Sequence, residues 1–173
     1  MSDYEDFLAS KEIISEPVGF DCDDLNPMMF PFQRDITKWS LRRGRSALFE
    51  DCGLGKSFQE LDWLRKIHEH TNKNVLLLTP IVVGQQMLRE GKKFGIPATL
   101  CKSANDIKPG INITNYEKLH LFKPEMFGGI CADESSILKD FSSVTSKQVI
   151  EFVQSIPYRL AATATPSPND LSN

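Results

Sequence analysis

The string Gly53-Leu54-Gly55-Lys56-Ser57 constrains this chain more than any other feature. It follows Ser46-Ala47-Leu48-Phe49-Glu50, a short apolar run of the kind that forms a buried strand. It precedes Phe58, Leu61, Leu64, Arg65 and His68, which recur at helical spacing. Two glycines separated by one residue let successive backbone N–H groups curl around an anion. A helix beginning at Lys56 adds the positive end of its dipole at the same point. A strand that runs through such a loop into a helix commits the chain to parallel crossovers, because the helix must return to the other end of the sheet.

The rest of the sequence carries that alternation on. Pro31 suits the first turn of a helix running to Arg43, in which Phe32, Ile36, Trp39 and Leu41 are expected to share an inner face. Strands are predicted at 74–79, 98–101, 111–114, 129–133 and 158–162, with helices at 82–94 and 142–155. The run Asn74-Val75-Leu76-Leu77-Leu78-Thr79 lacks alternation, as expected of a strand covered on both faces. The fold class that follows is α/β, a P-loop NTPase with a mainly parallel sheet between helical layers. Ligands in such sheets bind beyond the carboxyl ends of the strands. The glycine loop, Thr79-Pro80, Asp133-Glu134 and Thr163-Ala164-Thr165 all fall at that edge. Residues 1–30 read as an acidic N-terminal arm, interrupted by Pro17, Gly19 and Pro27. Residues 31–173 read as the ATP-binding lobe.

Composition narrows the functional classes. A formal net charge of −3 argues against a protein that coats nucleic acid through bulk positive charge, so any such contact must be local. Cys22, Cys52, Cys101 and Cys131 are dispersed and have no histidine at ligand spacing, which fits a reducing, cytoplasmic setting. No apolar stretch approaches the ~18 residues needed to span a bilayer, so no membrane role is expected. Trp39 and Trp63 read as core residues. The basic groups Arg42, Arg43, Arg45, Lys92 and Lys93 read as solvated faces.

The chemistry expected of these residues is nucleotide binding. Lys56 would neutralise the β and γ phosphates of ATP, and the Ser57 hydroxyl would ligate Mg²⁺. Glu50 stands where the first glycine of the fuller G-x-x-x-x-G-K-[ST] pattern belongs. Asp133, closing an apolar strand, would direct its carboxylate to the metal. Glu134, one residue on, would orient or deprotonate the attacking water.

Taken in order, Phe32-Gln33, Asp51-x-Gly53-Leu54-Gly55-Lys56-Ser57, Leu78-Thr79-Pro80, Ile113-Thr114-Asn115-Tyr116-Glu117, Asp133-Glu134-Ser135-Ser136-Ile137-Leu138-Lys139 and Ala162-Thr163-Ala164-Thr165-Pro166 resemble the first-lobe motifs of superfamily-two helicases. The D-x-G-L-G-K-[ST] form is more similar to Swi/Snf-type double-stranded DNA translocases than to DEAD-box RNA unwinders. The resemblance covers about residues 31–168. It implies a RecA-like lobe that binds ATP and Mg²⁺ and acts on nucleic acid, with DNA the expected partner.

The resemblance also implies roles residue by residue. Gln33 would read the adenine edge, and Asp51, Gly53, Leu54, Gly55, Lys56 and Ser57 would form the ATP site. Thr79, Pro80, Thr114 and Asn115 would line the nucleic-acid track through backbone and hydroxyl contacts. Thr163 and Thr165 would couple that track to the nucleotide.

Two departures bear on mechanism. Ser136 stands where the acid box usually carries histidine or aspartate. The sequence also ends soon after Pro166, without the second RecA-like lobe that supplies an arginine finger in such motors, so weak or absent turnover is expected of the chain alone. A different P-loop NTPase, such as a kinase or assembly ATPase, and a nucleotide-binding regulatory fragment without turnover are the alternatives.

Overall fold

The computed structural model describes residues 16–138 and 144–165. Lys139 and Pro166, at the ends of two of the motifs, lie outside the described residues. Helix α1 spans Pro31–Arg43, β1 Arg45–Phe49, α2 Lys56–Thr71, β2 Asn74–Thr79, α3 Gly84–Lys93, β3 Ala98–Leu100, β4 Ile111–Asn115, β5 Phe127–Ala132, α4 Val144–Gln154 and β6 Tyr158–Thr163. Short 3₁₀ turns occupy Ala104–Asp106, Tyr116–Leu121, Pro124–Met126 and Ser135–Leu138.

The six strands form one sheet in the order β1-β6-β5-β2-β4-β3, and every pairing is parallel. All the carboxyl ends therefore point to one edge. Successive strand residues face opposite layers, so the continuous run of β2 feeds two cores. Val75 and Leu77 pack with Leu48, Ile111, Ile113, Cys131, Leu160 and the inner faces of α1, α2 and α3. Leu76 and Leu78 pack with Ile130, Ala132, Tyr116, Leu119, Phe122 and residues Val149 and Phe152 of α4. This is the three-layer α/β/α arrangement expected of a P-loop NTPase, with β2 and β5 at its centre.

Helix α1 corrects one expectation. Its buried residues are Gln33, Thr37, Ser40 and Leu41, whereas Phe32 and Trp39 are exposed. The inner face is built from small polar side chains because α1 sits close over β1, where Ser40 Oγ lies 2.6 Å from Ser46 Oγ. Trp39 is thus a surface residue, while Trp63 is fully buried.

The described part of the acidic arm, residues 16–30, is laid along the domain. Backbone N–H groups of Val18, Gly19 and Phe20 donate to the carbonyls of Arg43, Arg42 and Leu41 at the end of α1. The approach is so close that a Cβ on Gly19 would stand 1.8 Å from Leu41 O, which excludes any other residue there. Asp23 pairs with Lys38, Asp21 with Arg42 and Asp24 with Lys66. The Asn26 N–H donates to the buried Asp62.

Candidate nucleotide site

The pairing of β1 with β6 continues past the strand ends through Glu50 N–H donating to Thr163 O at 3.3 Å. This places the glycine loop directly beside the Thr163-Ala164-Thr165 segment. The next strand, β5, delivers Asp133 and Glu134 at the same level. Together these ends border a cleft of about 790 Å³. Phe30, Phe32, Leu54 and Phe94 line it together with Lys56, Ser57 and Glu134. A smaller hollow of about 400 Å³ beneath α4, against β1 and β6, is almost wholly apolar and lacks such convergent groups.

Glycine is required at the turn into α2. Gly55 caps the helix at φ 81°, and a Cβ there would lie 2.4 Å from Gln33 Nε2. Gly53 also has positive φ, 86°. The Lys56 ammonium donates to the carbonyls of Glu50 at 2.7 Å and Asp51 at 2.9 Å, so its present partners belong to its own loop. Gln33 is equally committed: Nε2 donates to Leu54 O at 2.8 Å, and Oε1 accepts from Phe30 N–H at 3.0 Å. Each of these atoms keeps capacity for a second hydrogen bond, with which the amide can meet a base edge. Asp51 is exposed and takes part through its main-chain carbonyl.

The two adjacent acids sit in opposite environments. Asp133 is buried, and burial pushes its pKa up to about 6, with the Glu134 charge adding to the rise and the Lys56 charge opposing it. Its main chain is fixed at both ends: Asp133 N–H donates to Leu78 O at 2.8 Å, and Tyr116 Oη donates to Asp133 O at 2.7 Å. Glu134 then turns into the left-handed region at φ 52°. Its Oε1 accepts from Ser136 Oγ at 2.5 Å, Thr163 Oγ1 at 3.1 Å and Thr165 Oγ1 at 3.5 Å. These hydroxyls, Ser136 foremost, hold its pKa below the usual range.

The track residues divide. Thr79 and Thr114 are buried, and their hydroxyls donate to Pro80 O and Cys101 O. They face opposite layers of a sheet covered on both sides, so in this arrangement they offer only main-chain groups. Asn115 Oδ1 accepts from Lys118 N–H and caps the 3₁₀ turn that begins at Tyr116. Pro80 remains partly open, followed by the exposed Ile81 and Val82.

The sequence reading missed Glu60, and it placed Tyr116 in a track motif without foreseeing its tie to Asp133. Glu60 lies on α2 one helical turn beyond Lys56 and is fully buried, with neither carboxylate oxygen hydrogen-bonded. Burial and the nearby Asp133 charge drive its pKa well up. An acid at i+4 from Lys56 on an otherwise apolar helix face was the available signal. Glu50 is a second buried acid, raised by burial and held by Gln59 Nε2 at 2.8 Å.

Mg²⁺ fits this donor set. The Ser57 hydroxyl in the first turn of α2 borders the cleft, and the Asp133 carboxyl and the orphaned Glu60 carboxyl are buried close enough to interact. One or two carboxylates and a hydroxyl are what this ion takes when phosphate and water complete its octahedron.

No family model matches the sequence, and no curated protein sequence does. Solved structures do match. The Sulfolobus solfataricus SWI2/SNF2 ATPase core in complex with dsDNA superimposes with a TM-score of 0.69 at 22% identity, covering 82% of this chain and 33% of that one. The shared fold is a RecA-like α/β/α lobe. Two structures of the UvsW helicase from bacteriophage T4 match with a TM-score of 0.67 at 14% and 15% identity. They cover 95% of this chain and 60% and 34% of theirs. The chain therefore spans from a third to three fifths of the helicase chains it resembles. No helix among the described residues is long and apolar enough to cross a membrane.

Proposed function

We propose that this helicase-type lobe is the ATP-binding half of a DNA-dependent helicase or translocase motor. The observation that carries the reading is the meeting of Lys56, Ser57 and Glu134 around one cleft at the carboxyl edge of the sheet, with the buried Asp133 next to Glu134 at the end of β5. The N–H groups of residues 53–57 and the Lys56 ammonium take the triphosphate, and Lys56 exchanges its two carbonyl partners for phosphate oxygens. Ser57 and Asp133 would hold the metal, which would supply neutralisation of the β and γ phosphate charge. The stacked Phe30 and Phe32 rings, with centroids 6.2 Å apart, offer an apolar wall for the base.

Glu134 accepts a hydrogen bond from the attacking water and so orients it for in-line approach. Held by three hydroxyls at a lowered pKa, it is a better orienter than proton acceptor in the open lobe. Exclusion of water by a second lobe strengthens its basicity and completes the site. Thr163 and Thr165 touch Glu134 directly, so movement of their segment reaches the acid. Duplex DNA lies along the loops after β2 and β4, at Thr79-Pro80 and Thr114-Asn115.

The test is equilibrium binding of a fluorescent ATP analogue. Wild type binds it at least ~10-fold more tightly with Mg²⁺ than with a chelator, and Asp133→Asn removes most of that difference. Affinity that ignores both the metal and the substitution overturns the reading.

A further inference from the structure

We infer that Tyr116 is a positioning residue that ties the nucleic-acid track to the acid pair, through the hydrogen bond from its hydroxyl to the Asp133 carbonyl. The inference rests on the proposed function and deepens it.

The geometry begins at β4, which carries Thr114 and Asn115 to the sheet edge. The Asn115 side chain caps the 3₁₀ turn starting at Tyr116, so the track residue and the tyrosine move as one piece. The Tyr116 ring is buried among Leu76, Leu78, Leu119, Ile130 and Ala132, leaving its hydroxyl no freedom to seek another partner. It donates at 2.7 Å to a carbonyl that stands between the two acids.

That peptide matters because Glu134 follows it at φ 52°, a conformation that costs a non-glycine residue free energy and persists only where neighbours fix it. Two bonds fix it here. Asp133 N–H is tied to the sheet through Leu78, and Asp133 O is tied to Tyr116. The first belongs to the rigid β2–β5 pairing. The second is the only one of the two that joins the turn after β4, so a strand pressing on Asn115 shifts the acid loop through it.

Tyr116→Phe removes one oxygen and keeps the ring. Binding of Mg²⁺ with a non-hydrolysable ATP analogue is measured by calorimetry, with and without a short DNA duplex. In wild type the duplex changes the analogue's Kd by about fivefold or more, the lower end of ordinary coupling. In Tyr116→Phe the Kd without DNA stays within about twofold of wild type while the DNA effect disappears. An amide NMR titration of the wild type adds a second readout, in which the Glu134 resonance moves when duplex is added without nucleotide. Retained coupling in Tyr116→Phe, a wild-type Kd indifferent to duplex, or an unmoved Glu134 amide each overturns the inference while leaving nucleotide binding intact. Loss of analogue binding by the wild type itself would instead remove the underlying reading. A Tyr116→Phe chain that no longer folds, by circular dichroism, would show the hydroxyl to be structural and overturn the inference as well.

Discussion

The acid loop after β5 and the glycine loop after β1 face the same cleft but are held in different ways. The acid loop is fixed from all sides: Leu78 and Tyr116 grip the Asp133 main chain, and three hydroxyls grip the Glu134 carboxylate. The glycine loop is folded on itself, with Lys56 bonded to Glu50 O and Asp51 O and most of its residues exposed. The contrast assigns different tasks. On the proposed function the carboxylates are preorganised before ligand arrives, whereas the loop would exchange internal bonds for phosphate.

The largest effect should come from Gly55→Ala. Its Cβ meets Gln33 in a left-handed conformation, so nucleotide affinity should fall about 100-fold while the fold loses only ~1–2 kcal/mol. Calorimetry and denaturant melts report the two quantities separately. Thr163→Val should show the reverse pattern. Removing a hydroxyl that holds Glu134 should lower unfolding free energy by ~1 kcal/mol and change nucleotide affinity only a few-fold.

The pH dependence of stability probes the same contrast through the acids. Asp133 and Glu60 have raised folded-state pKa values, so the native state holds more protons than the unfolded chain above about pH 4. Without metal, the stability contributed by protonated Asp133 is full below its unfolded pKa and is lost as pH rises to about 6. Glu60, raised by burial, adds to this decline, and Glu60→Met should flatten it. Urea midpoints at several pH values would show this, and a stability rising across the window would contradict it. The smallest effect is expected of Ser136→Ala, which should move the Glu134 carboxyl titration upward in ¹³C NMR without altering Asp133 stability linkage.

Much of this was legible from residue pattern. The continuous apolar run of β2 announced a strand buried on both faces, and the glycine loop fixed the strand-loop-helix unit from which the sheet follows. Boundaries moved by one or two residues, as at α3, where Val82 and Val83 precede the helix proper. The inner face of α1 was misread because apolar periodicity assumes hydrophobic burial, and here small polar side chains allow the helix to approach β1. The 3₁₀ turn at Tyr116–Leu121 was missed for a related reason. Its stabilising contacts are a side-chain cap and a tertiary hydrogen bond, neither of which leaves a periodic trace.

Glu60 shows another limit. Its burial depends on which side of α2 meets β5, and only the three-dimensional register of helix on sheet reveals that it stands near Asp133. Thr79 and Thr114 were singled out by motif order, whereas the burial of their hydroxyls follows from the layers that cover both faces of the sheet.

Calorimetric titration of wild type and Lys56→Ala with Mg·ATP tests the nucleotide site most directly. Saturable heat from the wild type, with affinity reduced about 100-fold or abolished in the variant, is the predicted result. Equal binding by the two chains, or none by the wild type, would contradict a phosphate-cradling role for the loop.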